Sequence, residues 1–193
     1  MASENTPIEQ FFAEKAASSS NVVAEANRFR TAPTGSYTLQ ATTIEGKVWT
    51  NETNVRKGAH LTVSILKGGK KIATAFSDVS WQEVRTQKGS LDNKSKLWLQ
   101  YTRALFPDLK ADELAALTTG EVIKAMQSYP VSGYVAEQFV VAATAEDKAR
   151  GYFLDTKKVT AKTEEDEKLY REQGSKVVNT IMNVYPLKPE SNG

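Results

Sequence analysis

Alternating polar and apolar residues predict several short β-strands in the first half of the chain. Turn residues at Ala32-Pro33-Thr34-Gly35 precede the clearest alternating run. Lys67-Gly68-Gly69-Lys70 has the composition of a hairpin turn, and residues 51–58 have that of a loop. The strands predicted in this way are residues 36–41, 46–49, 60–65 and 72–76. Four short strands with glycine-bearing turns are typical of an antiparallel barrel or sandwich.

The apolar spacing becomes helical after about residue 95. Leu97, Tyr101 and Leu105 recur every four residues, and Pro107 ends the run. Thr118-Thr119-Gly120-Glu121 forms a capping box for another helix that ends before Pro130. The remaining predicted elements are a helix at 112–117, strands at 132–136, 138–141, 151–154 and 177–185, and a charged helix at 163–173. We therefore predict a mainly β protein of the α+β class, with a helical insertion at about 95–128 in a single domain at 21–186.

Two terminal segments are predicted to lie outside this domain. Thr6-Pro7-Ile8-Glu9 is a capping box with proline at the first helical position, and Ser18-Ser19-Ser20-Asn21 has the composition of a flexible break. We expect residues 1–20 to form a helical arm that docks on the domain or on a neighbouring subunit of a homo-oligomer. Residues 187–193 are expected to be a flexible tail.

The inventory of reactive residues argues against an enzyme. The chain has no cysteine and one histidine, His60, which excludes disulfides, thiolate zinc sites and any site that needs two histidines from this chain. It contains no phosphate-binding glycine loop, nucleophile elbow or metalloprotease motif. The four acids at 164–167 are expected to splay outward on a solvated helix. We predict no catalytic residue, no metal and no cofactor.

Hydropathy argues against a membrane or secreted location. No apolar run approaches the roughly 18 residues that a spanning helix needs, and the first thirty residues lack a basic segment followed by an apolar core. We therefore expect a soluble, cytoplasmic protein with no membrane partner.

The net charge of +2 is distributed unevenly. Residues 47–110 carry twelve Lys and Arg against five Asp and Glu, a net charge of +7. Residues 1–46 carry −2 and residues 111–193 carry −3. A basic middle between acidic ends is compatible with a polyanionic partner, although solvated lysines on exposed sheet faces would give the same pattern.

Aromatic residues alternate with basic residues through this basic region. Single-stranded nucleic acid is bound by cations that follow the phosphates and by aromatic faces that stack on unpaired bases. Trp98 is better explained by helix packing, whereas Trp49 and Trp81 lie beside polar, loop-like sequence. The residues predicted to bind nucleic acid are Trp49, Arg56, Lys57, Lys67, Lys70, Lys71, Trp81, Arg85, Lys88 and Tyr152.

The order of these features resembles the phage-encoded single-stranded DNA-binding proteins built on an OB-fold. The resemblance covers about residues 27–186 and rests on Asn27-Arg28-Phe29-Arg30, the turn and strand at 32–37, the hairpin at 60–76, the helical insertion and the returning strands. It implies an OB-like antiparallel barrel that coats single-stranded DNA without strong sequence preference during replication or recombination, in the host cytoplasm. The groove would be lined by Trp49, Arg56, Lys57, Lys67, Lys70, Lys71 and Trp81.

The C-terminus departs from that family. Many such proteins end in an acidic tail with a terminal aromatic residue, which recruits replication partners. This chain ends in Lys188-Pro189-Glu190-Ser191-Asn192-Gly193, with one acid and no terminal aromatic. The resemblance therefore does not imply recruitment through such a tail.

A structural virion protein is the alternative interpretation. A capsid decoration or tail component built on a β-sandwich would also combine many short strands, an N-terminal arm and no cysteine. The arm would then reach a neighbouring subunit, and the basic residues would be ordinary surface. The sequence leaves both hypotheses open, together with the choice between DNA and RNA.

Overall fold

Six strands and five helices make up the part of the chain that the computed structural model describes, residues 31–50 and 54–188. The strands are β1 (Gly35–Thr50), β2 (Val55–Lys67), β3 (Lys70–Ser80), β4 (Val131–Ala142), β5 (Thr156–Val159) and β6 (Lys176–Tyr185). The helices are α1 (Asn93–Leu105), α2 (Ala111–Ala116), α3 (Thr119–Ser128), α4 (Ala145–Ala149) and α5 (Glu164–Glu172). The predicted arm at 1–20, residues 27–30 and the tail from residue 189 lie outside the described residues.

All six strands belong to one antiparallel sheet, as the mainly β prediction requires. Hydrogen-bonded neighbours give the strand order β3-β2-β1-β4, and β4 also pairs with both β5 and β6. Phe139 and Val140 of β4 pair with β5 and with β6, so these two strands lie on opposite edges of β4. β1 and β5 therefore share one edge of β4, and β6 occupies the other. Successive antiparallel pairings make β3 and β6 parallel to each other, and these two strands are in contact.

The core lies on one side of the β1–β2–β3 sheet, where alternate residues are apolar. Leu61, Val63 and Ile65 of β2 are fully buried, and Leu39 of β1 lies beside them. The helices cover this side: α1 packs against β3 and β6, and α3 packs against β1. Their contribution to the core includes Leu97, Tyr101, Val122 and Met126. Burial of this continuous apolar surface is the main stabilising contribution to the fold.

The helices predicted within the insertion and at 163–173 are confirmed because their signals are local, whereas α4 was not predicted. The insertion predicted at about 95–128 contains α1, α2 and α3. Thr118 and Thr163 each accept a hydrogen bond from the backbone three residues later, and the acid at that position returns one. α1 begins at Asn93, two residues before the predicted start at about 95, because the Asp92 side chain caps it by accepting a hydrogen bond from the Ser95 backbone N–H.

Four predictions about strands and loops are corrected. The separate strands predicted at 132–136 and 138–141 are one strand, β4. The separate strands at 36–41 and 46–49 are one strand, because β1 pairs with β2 along almost its whole length with a single irregularity near residue 42. The loop predicted at 51–58 is shorter, since β2 begins at Val55. Residues 151–154 do not form a strand: Gly151 turns the chain at a φ of +89°, and the strand follows at Thr156–Val159.

Within the described ranges, no helix has both the length and the apolar character needed to cross a bilayer.

Candidate nucleic-acid interface

The side of the β1–β2–β3 sheet that points away from the core presents a continuous surface, here called the outward face. Strand register places its side chains in rows that cross the three strands. One row contains Thr43, Thr62 and Phe76, and the next contains Glu45, His60 and Asp78.

Phe76 is the most exposed aromatic residue of the outward face. It is 58% exposed, although it lies in the middle of β3. Its ring stacks against the His60 ring, with centroids 5.9 Å apart and planes inclined by 6°. The His60 Nδ1 lies 2.8 Å from an Asp78 carboxylate oxygen, which fixes the orientation of the imidazole. The result is an oriented flat apolar ring that is open to solvent on a rigid strand.

Trp49 lies at the end of the same face where β1 and β2 approach their connection. Its indole lies over Gly58: a Cβ at that glycine would come within 2.6 Å of the ring. The ammonium groups of Lys47 and Lys94 are 5.4 Å and 5.2 Å from the ring centroid. These distances are within the range of cation–π interactions. Two cations therefore flank a half-buried indole.

An ion pair holds the start of α1 against this end of the sheet. The Arg56 guanidinium donates to both carboxylate oxygens of Asp92, at 2.5 Å and 2.7 Å, and also to the Ser95 hydroxyl. Partial burial acts to raise the pKa of Asp92, but the hydrogen bonds from Arg56 and Ser95 outweigh it and lower the pKa to about 2. By holding Asp92 at the start of α1, Arg56 positions Lys94 relative to Trp49. The Arg56 guanidinium itself is hydrogen-bonded to Asp92 and Ser95.

The three lysines of the β2–β3 hairpin lie at the opposite end of β2. Ten residues of strand separate Lys57 from Lys67, or about 33 Å. Lys67 pairs directly with Lys70 in the ladder, and Lys71 follows. Like charges at paired positions repel each other. Within residues 31–50 and 54–188, none of the three has a carboxylate partner.

Trp81 lies away from the outward face, among the helices. It packs edge-on against Trp98, with ring centroids 5.6 Å apart and planes inclined by 63°. Both indoles pack against the core and line an apolar depression with Phe106 and Leu117. The packing role that the sequence assigned to Trp98 thus extends to Trp81.

The remaining predicted residues are distributed over two other regions. Arg85 donates to Glu83 and to the Gly89 carbonyl in the loop before α1, where Lys88 is exposed. Tyr152 follows α4, and its hydroxyl donates to the Thr156 carbonyl. The structure therefore brings Trp49 and Arg56 together on the outward face at one end of β2, whereas Lys57, at the same end, pairs with Val48 on the other side of the strand. Lys67, Lys70 and Lys71 lie at the other end, and of these only Lys71 shares the side of Phe76. Trp81, Arg85, Lys88 and Tyr152 are not part of the outward face.

The sequence did not indicate Lys47 and Phe76 of this face, nor Lys94 of α1 beside it. A signal for Phe76 was present in the alternation itself. Ala73 and Ala75 are the small apolar residues that point to the core, which places Thr74 and Phe76 on the opposite side. Lys94 had no such signal, because it reaches Trp49 only through the folding of α1 against the sheet.

No group of three or more metal-ligating side chains converges among the described residues. Comparison with known proteins finds no matching family model, no matching curated protein and no matching solved structure.

Proposed function

We propose that the protein binds single-stranded DNA along the outward face, without strong sequence preference and without a cofactor. The observation that carries this proposal is the exposed Phe76 ring, stacked on His60 between two groups of lysines. A solvent-exposed phenyl ring costs free energy unless a partner covers it, and the flat face of an unpaired base is such a partner.

Cations lie at the two ends of the outward face, beyond the row of Glu45, His60 and Asp78, and a phosphate backbone is the partner that they would contact. Lys47, which also pairs with Asp78, and Lys94 flank Trp49 at one end of the face. Lys71 lies on the face at the hairpin end, next to Lys67 and Lys70 at the turn. Repulsion between the paired Lys67 and Lys70 is relieved when a polyanion binds at the hairpin. Base stacking in the middle and phosphate contacts at both ends together describe a site for a single strand.

The topology supports an OB-like barrel as the scaffold. β3 and β6, at the two ends of the β3-β2-β1-β4-β6 path, are parallel and in contact, and α1, α2 and α3 lie between β3 and β4 in the chain. We infer that the sheet is rolled so that these edge strands meet. OB-folds bind oligonucleotides on the face of their second and third strands, which here corresponds to the outward face of β2 and β3. A role in DNA replication or recombination, in the host cytoplasm of a phage, follows from the resemblance described above.

The test compares Phe76→Ala with Phe153→Ala. Phe153 is 91% exposed in the turn after α4, outside the outward face, so the control removes the same side chain elsewhere. Stacking is worth about 1–3 kcal/mol per base, so Phe76→Ala should weaken binding to fluorescein-labelled oligo-dT by about 5- to 150-fold. Phe153→Ala should leave the affinity unchanged, and both variants should keep the wild-type melting temperature.

Duplex DNA and salt complete the test. Binding to oligo-dT should weaken steeply with salt, since phosphate contacts release counterions. A duplex of the same length should compete poorly, because its bases are already stacked. Equal competition by duplex, or an unchanged affinity of Phe76→Ala, would refute the stacking mechanism.

A further inference from the structure

A second concave surface lies beyond the hairpin end of the outward face. It is bounded by the hairpin turn at 67–69, the start of β1 at 35–38 and residues 185–188 after β6, with Pro130 and Gly133 of the β4 region also lining it. We call it the hairpin groove. Its volume is about 1420 Å³, which exceeds the roughly 300–1,000 Å³ of a pocket for one small molecule.

The hairpin groove has a largely apolar lining whose charged groups are all cationic. None of its lining residues is acidic, and Lys67 and Lys188 contribute two ammonium groups. In the described part of the chain, neither lysine forms an ion pair. Hydroxyl groups of Ser36 and Thr38 lie along β1 as further hydrogen-bond donors. A site with this charge favours an anionic ligand.

One wall of the groove offers an aromatic surface. Tyr185, the last residue of β6, is 47% exposed and pairs in the ladder with Ser132. Leu187 is exposed to a similar extent next to it. Tyr185 therefore adds an exposed aromatic ring to a lining that also contains Lys67 and Lys188.

The groove is continuous with the outward face. Thr38 of β1 pairs with Leu66 of β2, and both residues line the groove. Lys67 belongs both to the groove and to the hairpin lysines. A chain that follows the outward face toward the hairpin therefore reaches the groove without crossing an acidic lining residue.

We infer that the hairpin groove is a second subsite for the same DNA strand, in which Lys67 and Lys188 contact phosphates and Tyr185 stacks on a base. This inference rests on the proposed function. The volume accommodates more than one nucleotide, so the groove extends the length of strand that one protein molecule covers.

The experiment measures affinity against length for oligo-dT from about 4 to about 16 nucleotides, the range that OB-folds cover. The variant is Tyr185→Ala/Lys188→Gln. The matched control is Phe153→Ala/Lys158→Gln, which removes an aromatic ring and an exposed lysine near β5. Melting temperatures establish that both double variants are folded.

For wild type and control, affinity should continue to rise as the oligonucleotide grows long enough to enter the groove. The Tyr185→Ala/Lys188→Gln variant should bind the shortest oligonucleotides like wild type and the longest at least about fivefold more weakly. Equal length profiles for variant and wild type would overturn the groove inference while leaving the outward face intact. Failure of the wild type to bind any length would overturn the proposed function itself.

Discussion

The ion pair between Arg56 and Asp92 allows a quantitative prediction about stability. Both side chains are mostly shielded from solvent, with 16% and 24% of their surfaces exposed. The Arg56 Nε is buried without a hydrogen-bond partner among the described residues, so the guanidinium depends on Asp92 and Ser95. Asp92→Asn removes the negative charge and keeps a side chain that caps helices as well as aspartate does. The variant therefore removes the ion pair with Arg56 and keeps the N-terminal cap of α1.

The magnitude follows from the pKa. Asp92 changes from an ordinary value of 3.8 to about 2 on folding. At 1.36 kcal/mol per unit, this difference corresponds to about 2 kcal/mol in favour of the folded state at neutral pH. A guanidinium left without its carboxylate adds a desolvation cost, so we expect Asp92→Asn to lose about 2–3 kcal/mol of unfolding free energy.

The pH dependence has a defined sign. Because the folded-state pKa is depressed, the contribution is complete above about pH 4 and disappears as the pH falls through about 2. Urea denaturation followed by tryptophan fluorescence, at pH 7 and at several values down to pH 2, measures the difference between wild type and variant. Asp108→Asn, at an exposed position in the loop after α1, is the control. A loss below about 0.5 kcal/mol at pH 7, or a difference that persists undiminished at pH 2, would refute this account.

Two further predictions concern the sheet and the hairpin. Gly58→Ala places a Cβ 2.0 Å from the Val79 carbonyl oxygen and 2.6 Å from the Trp49 ring, so urea denaturation should show a loss of about 1–3 kcal/mol or more in unfolding free energy. The control Gly46→Ala, where a Cβ has no atom within 4 Å, should be tolerated. Equal losses for the two variants would contradict the close approach of Trp49 and Val79 to Gly58. Replacing Lys67, Lys70 and Lys71 by Gln removes up to three phosphate contacts, each worth about 0.7 in the slope of log affinity against log salt for a single strand. That slope should become shallower by about 2, and an unchanged slope would place the phosphates elsewhere.

Local signals predicted the helices well. The capping boxes at Thr118 and Thr163 involve residues three positions apart, so the sequence alone contains both partners. The hairpin around Gly68 and Gly69 is equally local, and both glycines have positive φ as a tight turn requires.

The candidate site depends on partners that are distant in the sequence. Trp81 and Trp98 pack together only because α1 folds back onto the end of β3, and Lys94 reaches Trp49 for the same reason. Proximity in sequence between an aromatic and a basic residue therefore did not establish that they share a surface. The alternation of inward and outward positions along β3 is more informative, since it places Phe76 on the side of the strand opposite to the buried Ala73 and Ala75.

The segment between β4 and β6 contains an exposed turn that is suitable for chemical labelling of the protein. α4, β5 and the turn at Gly151 extend from the far end of β4, and β5 hydrogen-bonds to that strand. The chain has no natural cysteine, so a thiol introduced in place of Phe153 would be the unique attachment point for a dye or a surface tether. Exposed turns of this kind accept such additions readily. The molecule thus provides a handle for single-molecule recording on a turn that contributes no residue to the outward face.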